Sequence, residues 1–204
     1  TTHPHLAADL LDPEPTTVTA GSSKTGTWHC PNHDEPYTAT IASRVAGNGC
    51  GYCGGKKVLP GFNDLATTHP HLAAELVDPD PTTVFAGTGK QLLWRCDRGH
   101  EYEATGDARS NPQRPRGCPY CNNHKVLVGF NDLATTHPHL ATELIEPDPT
   151  TVIAGTLRKG RWQCRQCDKQ WQASMLNRTR HDSGCPSCNQ GGYDSTKAGY
   201  LYLM

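Results

Sequence analysis

Apolar and polar positions near the middle of the chain predict a short helix followed by a two-stranded hairpin. Asn63-Asp64 can cap a short helical turn through Leu65 and Ala66. Within residues 72–77 the apolar side chains recur at the spacing of one helical face, and Pro70 and Pro79 suit the start and the end of that helix. Residues 92–94 then form an apolar strand, and residues 101–105 return as the second strand of a hairpin. A hairpin of only two strands is marginal in water, so this unit needs further support.

The same unit occurs three times along the chain. The string Thr1-Thr-His-Pro-His-Leu6 returns at residues 67–72 and 135–140, and the longer phrase at residues 61–76 recurs at 129–144 with one change. Self-similarity at a nearly fixed period is typical of repeat architectures. We predict three modules and a separate final segment, with the bounds 1–57, 58–125, 126–190 and 191–204.

Each predicted hairpin turn carries one pair of potential metal ligands, and a second pair follows a polar loop. In the second repeat, Cys96 and His100 precede Cys118 and Cys121 at the spacing of a structural zinc site. The outer repeats supply the other ligands: Cys30, His33, Cys50 and Cys53, and Cys164, Cys167, Cys185 and Cys188. All ten cysteines are then used, and histidine fills the two vacant positions. The pattern predicts three structural Zn²⁺ ions, each in a filled tetrahedral site.

An even number of cysteines also allows a disulfide scaffold. That alternative gives no reason for histidine at the two vacant positions. His29 is adjacent to Cys30, but its counterparts in the other repeats, Arg95 and Gln163, cannot bind zinc. We therefore interpret His29 as a surface residue.

The composition favours small metal-dependent modules over one large core. Apolar residues make up 35% of the chain, with only three Phe, and small apolar-poor modules need a metal to remain folded. No apolar run approaches the ~20 residues of a membrane helix, and no signal peptide heads the chain. Unoxidised zinc-binding cysteines indicate a reducing compartment, so we expect a cytoplasmic protein without a membrane partner.

The net charge of −1 gives no support by itself to a nucleic-acid partner, but the cations are concentrated within the second and third repeats. A local basic face matters more for phosphate binding than the net charge does. The candidate contacts are Arg44 in the first repeat; Lys90, Arg95, Arg98, Arg109, Arg114 and Arg116 in the second; and Arg158, Lys159, Arg161, Arg178 and Arg180 in the third. The alternative for each is an ordinary solvated surface charge.

One arginine in each repeat stands seven residues after an aromatic residue. The pairs are Tyr37 and Arg44, Tyr102 and Arg109, and Trp171 and Arg178. We interpret the aromatic residue as core and place the arginine at the head of an exposed loop. There it is either a brace within the module or a phosphate contact, because arginine makes bidentate bonds to carbonyls and phosphates alike.

The ligand motifs carry a family resemblance. The string Trp-x-Cys-x3-His-Glu-aromatic, then Arg and Gly-Cys-Pro-Tyr-Cys, then Lys-Val-Leu and Asn-Asp-Leu-Ala-Thr-Thr-His-Pro, resembles the treble-clef family also called the probable zinc-ribbon domain. The resemblance covers the chain from Thr1 to about Cys188. It implies a small α+β, metal-stabilised fold: three tandem treble-clef or zinc-ribbon modules joined by short helical connectors. In the first repeat two residues separate Cys30 from His33 where three are usual, and in the third Cys167 replaces histidine.

The family occurs as tandem arrays in bacterial and phage proteins, often beside nuclease domains, which implies nucleic-acid binding in a bacterial or phage-infected cell. The final segment strengthens this link, because Gly199-Tyr-Leu-Tyr-Leu203 looks like the first strand of a GIY-YIG nuclease. The chain lacks an initial Met, its first repeat lacks the Gly-x-Asn-Asp-Leu-Ala phrase, and the other parts of such a nuclease are absent. We therefore expect that the chain is a fragment of a longer protein and that its 204 residues include no catalytic residues.

Two functional hypotheses follow from these expectations. The first is a monomeric nucleic-acid-binding array, with DNA preferred to RNA, that forms the targeting region of a larger GIY-YIG-like endonuclease. The second is an RNA-, ribosome- or protein-binding zinc scaffold without catalytic activity, which the acidic connectors favour. An enzyme within these residues is disfavoured, because no acid–base pair stands outside the predicted metal ligands.

Overall fold

The computed structural model describes residues 2–188 and shows one three-stranded antiparallel sheet in each repeat. The described chain divides after residue 117 into two compact units; the first contains the first two sheets and the second contains the third sheet. The longest described helices have six residues. Short helices and small antiparallel sheets give each repeat the predicted small α+β character.

The first repeat begins with a short helix, continues into its sheet and ends in a second helix. Its elements are α1 (Pro4–Asp9), β1 (Leu10–Asp12), β2 (Thr25–Cys30), β3 (His33–Thr40) and α2 (Ile41–Val45). Strand β2 is central, with antiparallel neighbours on both sides. A 3₁₀ turn at Pro15–Thr17 lies in the loop between β1 and β2.

The second and third repeats have one more helix at the front. The elements of the second are α3 (Leu65–Thr68), α4 (Pro70–Ala73), β4 (Leu76–Asp78), β5 (Gln91–Arg95), β6 (Glu101–Thr105) and α5 (Gly106–Ser110). Those of the third are α6 (Leu133–Thr136), α7 (Pro138–Ala141), β7 (Leu144–Glu146), β8 (Lys159–Gln163), β9 (Gln170–Ser174) and α8 (Met175–Arg180). Their 3₁₀ turns are Pro81–Thr83 and Pro149–Thr151, and β5 and β8 are the central strands.

The predicted hairpin is present in every repeat, but a third strand pairs with its edge. Leu76 and Val77, which the sequence assigned to a helix face, lie in β4, where Leu76 is opposite Trp94. The helix prediction was therefore wrong at its end, because α4 stops at Ala73. A helix continued through Val77 would leave one edge of β5 without backbone partners beside a buried tryptophan, and the strand satisfies those groups.

A tryptophan at the centre of each sheet fills much of the core. Trp28, Trp94 and Trp162 are at most 1% exposed. Each donates its indole N–H to a backbone carbonyl of the neighbouring strand, at 2.9, 2.9 and 3.0 Å respectively. A buried indole needs such a partner. These rings stabilise the modules and present no free face on which a base could stack.

A lead segment, residues 61–66 and 129–134, runs into the first helix of the second and third repeats. The predicted capped turn is confirmed at Asp64, whose carboxylate accepts hydrogen bonds from the backbone N–H and the hydroxyl of Thr67, at 2.9 and 2.7 Å. Burial alone would raise the pKa of Asp64, but these hydrogen bonds and one from Gly61 lower it below its ordinary value. The buried cap is therefore held in its ionised form.

The leucine after this cap enters the core of its own repeat. Leu65 is 1% exposed and donates its N–H to the Val84 carbonyl at 2.7 Å. Leu133 is 0% exposed and donates to the Val152 carbonyl at 2.8 Å. The lead segment thus completes the core of the repeat that follows it.

Candidate metal centres and basic surface

The hairpin turn and the following loop bring two ligand pairs together in every repeat. The groups are Cys30, His33, Cys50 and Cys53; Cys96, His100, Cys118 and Cys121; and Cys164, Cys167, Cys185 and Cys188. Within each group the ligand atoms lie within 4.8 Å of one another. These are the twelve residues predicted from the sequence. In the described part of the chain, no other group of three or more potential ligands has this geometry.

The sulfur–sulfur distances agree with tetrahedral zinc coordination. The Sγ atoms of Cys30 and Cys53 are 3.5 Å apart, and two sulfur pairs of the third group are 3.7 Å apart. A tetrahedron with Zn–S bonds of about 2.3 Å has edges of roughly 3.8 Å. A disulfide bond would need about 2.05 Å, and all ten cysteines are free. The disulfide alternative is therefore wrong, and each donor set suits one structural Zn²⁺ ion that would join the hairpin turn to the loop.

The two histidine-containing groups present different ring nitrogens to their sulfurs. His33 Nε2 lies 3.1 Å from the Sγ atom of Cys50, and His100 Nδ1 lies 3.6 Å from that of Cys96. Cys30 and His33 are paired across the end of the hairpin, whereas a longer turn separates Cys96 from His100. Both ring nitrogens of a neutral imidazole are suitable zinc ligands. The shorter spacing of the first repeat therefore still supplies a fourth ligand.

The lead segment also contacts the metal centre of the repeat before it. Asn63 donates from its side-chain amide to the carbonyls of Tyr52 and Lys57, at 2.7 and 2.9 Å. Tyr52 stands between two zinc ligands, and the ring of Phe62 lies edge-on 4.8 Å from the ring of His33. The sequence did not predict this role, although the repeated Phe-Asn dipeptide was a signal for it.

The third lead segment makes the same anchor. The side chain of Asn131 donates to the carbonyl of Tyr120, which stands between Cys118 and Cys121, at 2.8 Å. It also donates to the carbonyl of Lys125 at 2.9 Å. Each lead segment therefore has two attachments: an asparagine on the preceding zinc-binding loop and a leucine in the following core.

The arginines that follow the aromatic residues lie on short helices, so their predicted place in exposed loops was wrong. Arg109 is 7% exposed, because its guanidinium lies over Trp94, with the central carbon 5.1 Å from the ring centre. It donates to the carbonyl of Arg116 at 2.8 Å and to a carboxylate oxygen of Glu75 at 2.6 Å. These are contacts of a brace within the module.

The other two repeats contain the same brace. Arg178 is 6% exposed and bonds the Ser183 carbonyl at 2.6 Å and the Glu143 carboxylate. Arg44 bonds the Asn48 carbonyl at 2.9 Å and lies 3.8 Å from the Asp9 carboxylate. For all three arginines, burial and partners favour the bracing alternative over a phosphate contact. The acids at one repeated position, Asp9, Glu75 and Glu143, were the sequence signal for this arrangement.

The other candidate contacts to nucleic acid are exposed. They are Lys90, Arg95, Arg98, Arg114 and Arg116 in the second repeat, and Arg158, Lys159, Arg161 and Arg180 in the third. In the second sheet Arg95 donates to Glu101 at 3.1 Å, which offsets its charge. In the third sheet Lys159 and Arg161 stand opposite the uncharged residues Ser174 and Gln172. The outer face of the third sheet is therefore the more basic one, although Arg161 also pairs with Glu146 at 3.1 Å.

Three Cys/His groups, each built on a small antiparallel sheet with short helices, define a protein of tandem zinc-finger modules. A family model described as a probable treble clef zinc finger domain matches residues 8–56, 72–124 and 141–191. The chain belongs to this family. A comparison with curated proteins found no match.

The family match confirms the treble-clef resemblance, the small α+β fold class and the suitability of the three groups for zinc. The module bounds at 57, 125 and 190 stay predictions. The nuclease-like string at residues 199–203 lies outside the described residues, so the GIY-YIG resemblance has no structural support. No described helix combines the length and the apolar character that crossing a membrane requires.

Proposed function

We propose that the chain is a nucleic-acid-binding array whose third module makes the main electrostatic contact, to duplex DNA in preference to RNA. The observation that carries this proposal is the basic strand β8, with exposed Lys159 and Arg161 on its outer face and exposed Arg158 directly before it. Lysine and arginine at phosphates release counterions, so the affinity should fall as salt rises. Zinc would act through folding, since each site has four protein ligands and no open position.

The distribution of charge supports the third module over the others. From residue 158 to residue 180 the chain has seven Lys or Arg residues and one acidic residue, Asp168. Of the seven, only Arg178 is buried. Within the described residues, Arg158, Lys159 and Arg180 have no carboxylate within ion-pair distance. Uncompensated cations on a small module are a surface that suits a polyanion.

Protein or RNA scaffolding is the competing function, and the exposed acidic residues between the metal sites favour it: Asp12, Glu14, Asp78, Asp80 and Asp148. Within the third module the cations could also serve only to offset its metal centre, because four thiolates around one divalent ion leave a net negative charge. These alternatives differ in the salt dependence of binding. A phosphate-binding face gives an affinity that falls linearly with salt on logarithmic axes, whereas a charge-balancing role gives no binding to DNA.

The test is the triple substitution Arg158→Ala, Lys159→Ala and Arg161→Ala. We expect weaker binding to duplex DNA and a shallower salt dependence, by about 0.9 in logarithmic slope for each phosphate that the variant no longer neutralises. The matched control is Lys24→Ala, Lys56→Ala and Lys57→Ala, which removes the same charge from exposed positions of the first repeat. That control should change the slope much less, and zinc content should be unchanged in both proteins.

Three results would decide against parts of the proposal. Equal reductions in affinity in both triple variants would mean that net charge alone determines binding. Unchanged affinity for both DNA and structured RNA in the third-module variant would leave the scaffold function as the better explanation. Tighter binding to structured RNA than to duplex DNA would overturn the preference for DNA.

We also propose that the array targets a larger GIY-YIG-like nuclease, on the strength of the string at residues 199–203. The 204 residues should bind duplex DNA without cutting it, and a longer form carrying a complete nuclease domain should nick supercoiled plasmid in the presence of Mg²⁺. Lack of nicking by such a longer form would remove the nuclease context and leave the binding proposal intact.

A further inference from the structure

The first repeat contains an open apolar cavity of about 260 Å³. An engineered cavity of roughly 150 Å³ already accommodates benzene, so this space is large enough for an aliphatic side chain. Its apolar lining includes Leu6, Leu10, Val18, Trp28 and Ile41. The cavity therefore borders the first repeat's own core, to which Leu10, Trp28 and Ile41 belong.

The same position in the third repeat is occupied by the leucine of the lead segment. Leu133 belongs to one buried cluster with Leu140, Leu144, Val152, Trp162 and Met175. Aligning the repeats places these five residues at the positions of Leu6, Leu10, Val18, Trp28 and Ile41. Every partner of Leu133 in that cluster thus has its counterpart in the lining of the cavity.

Backbone hydrogen bonding and burial give the same indication. The carbonyls of Val84 and Val152 each accept a hydrogen bond from the leucine of a lead segment, at 2.7 and 2.8 Å. Among the described residues, no backbone N–H donates to the carbonyl of Val18. Val84 and Val152 are 7% and 2% exposed, whereas Val18 is only half-buried. An apolar group and a backbone donor would complete this site.

The cap fixes where that group must be attached. Asp64 accepts from the N–H and the hydroxyl of Thr67, and the counterpart of Thr67 in the first repeat is Thr1. The leucine follows the cap directly, so its counterpart stands two residues ahead of Thr1 in a continuous chain. The leucines of the two described lead segments are already buried in their own repeats, at 1% and 0% exposure, and are not available to a second site.

We propose that the cavity of the first repeat is the seat of a further lead segment, joined to the amino end of Thr1 and carrying Asp-Leu-Ala at the spacing of residues 64–66. Its leucine would fill the cavity and its backbone N–H would bond the Val18 carbonyl. Its aspartate would stand three residues ahead of Thr1, as Asp64 stands three residues ahead of Thr67. This inference does not depend on nucleic-acid binding.

The test compares three proteins: the 204-residue chain, the same chain with Gly-Phe-Asn-Asp-Leu-Ala attached ahead of Thr1, and that extended chain with alanine in place of the attached leucine. Hydrogen exchange at the amide of Trp28, in the central strand of the first repeat, is the measurement. Burial of one leucine should slow this exchange by about 10- to 100-fold. The alanine version should recover only a minor part of the effect, and exchange at Trp94 should be the same in all three.

Equal exchange at Trp28 with the attached leucine and with alanine would overturn the proposal. It would also be overturned if a free peptide of the same sequence protected Trp28 as well as the attached segment, since the occupant would then be a separate partner. Concentration-dependent self-association that Val18→Arg abolishes would identify a second copy as the occupant and contradict the proposal. Leu11→Arg is the matched control for Val18→Arg, because Leu11 is 56% exposed and does not line the cavity.

Discussion

At the scale of single residues, the bracing arginine of the second repeat has different surroundings from the exposed arginines near it. Arg109 connects the Glu75 carboxylate to the Arg116 carbonyl across the ring of Trp94. Arg114, in the loop that follows, is exposed. Similar sequence context therefore does not imply a similar role, because burial decides which groups surround the guanidinium.

We expect Arg109→Ala to destabilise the second module by about 2–3 kcal/mol, because it leaves a carboxylate and a carbonyl without their donor and opens space beside a buried ring. Arg109→Lys should recover only part of this stability, since an ammonium group cannot bond both acceptors in the same planar geometry. Urea unfolding followed at the strands of that module measures the effect. Arg114→Ala is the control and should stay within about 0.5 kcal/mol of the parent; equal destabilisation in both would contradict the bracing role.

A second prediction concerns the buried cap Asp132, which accepts from Gly129 at 2.6 Å and from the Thr135 N–H at 2.9 Å. Asp132→Asn should cost about 1–2 kcal/mol at pH 7, since an amide has one acceptor oxygen and a carboxylate has two. Asp148→Asn is the matched control, because Asp148 caps a turn through Thr150 but is exposed. Its effect should be smaller.

The pH dependence of that difference has a definite sign. Burial would raise the pKa of Asp132, but hydrogen bonds from Thr135 and Gly129 lower it below its ordinary value of 3.8. A lowered pKa in the folded state gives stability that is complete above 3.8 and lost as pH falls through the folded value. The difference between parent and Asp132→Asn should therefore be constant from about pH 7 to 5. A difference that shrinks within that range, measured by hydrogen exchange at Leu133, would contradict this assignment.

At the scale of elements, the second and third sheets fill one packing site in two ways. Gly160 is the second residue of strand β8, and it faces Met175, the first residue of α8. A Cβ atom added at Gly160 would lie 2.6 Å from both Met175 Cε and Leu144 Cδ1. The second repeat has Leu92 and Gly106 at these two positions. The large side chain therefore comes from the strand in the second repeat and from the helix in the third.

We expect Gly160→Leu to destabilise the third module by about 1–3 kcal/mol through overpacking. Combining it with Met175→Gly, which reproduces the arrangement of the second repeat, should recover much of that stability. A double-mutant cycle from denaturant unfolding measures the coupling. Additive effects would mean that the two positions do not share one site. The Leu92→Gly and Gly106→Met exchange in the second module is the reciprocal check. It should recover less stability, because a Cβ atom at Gly106 would lie 2.7 Å from Thr88 Cγ2 and 2.9 Å from the backbone oxygen of Ala86.

At the scale of the whole molecule, the modules are joined by the lead segments, and each has a donor set that suits one structural metal ion. Cys118→Ser should lower the bound zinc from three ions to two, because a structural site that loses one ligand no longer holds its module folded. Elemental analysis and hydrogen exchange measure this. Protection should disappear in β5 and β6, and should also weaken at Leu133, because Asn131 is anchored to the loop that contains Cys118.

Cys188→Ser provides the comparison for that prediction. It removes a ligand of the third group and should leave the strands of the first and second modules protected. Loss of all three ions from either variant would show that the modules fold as one cooperative body. If Cys118→Ser loses one ion but exchange at Leu133 does not change, then the Asn131 anchor does not couple the second module to the third.

The sequence by itself determined the metal groups, the repeat and the capped turns. Ligands such as Cys118 and Cys121 are close along the chain, and this spacing allows both to bind the same metal ion without help from distant residues. The cap at Asp64 is equally local, since its partners Gly61 and Thr67 lie within three residues. Short-range geometry of this kind is readable from one sequence.

Only the tertiary structure decided the third strand, the bracing arginines and the double attachment of the lead segments. Leu76 pairs with Trp94, Arg109 meets Glu75, and Asn63 reaches the Tyr52 carbonyl, across separations of 11 to 34 residues. Distant residues decide whether a segment becomes a helix or a strand. They also decide whether an arginine is exposed to solvent or buried against its partners. The tertiary structure also decided that Leu92 in the second repeat and Met175 in the third fill equivalent space. A packing site requires a side chain of the right volume, and either the strand or the helix can supply that side chain.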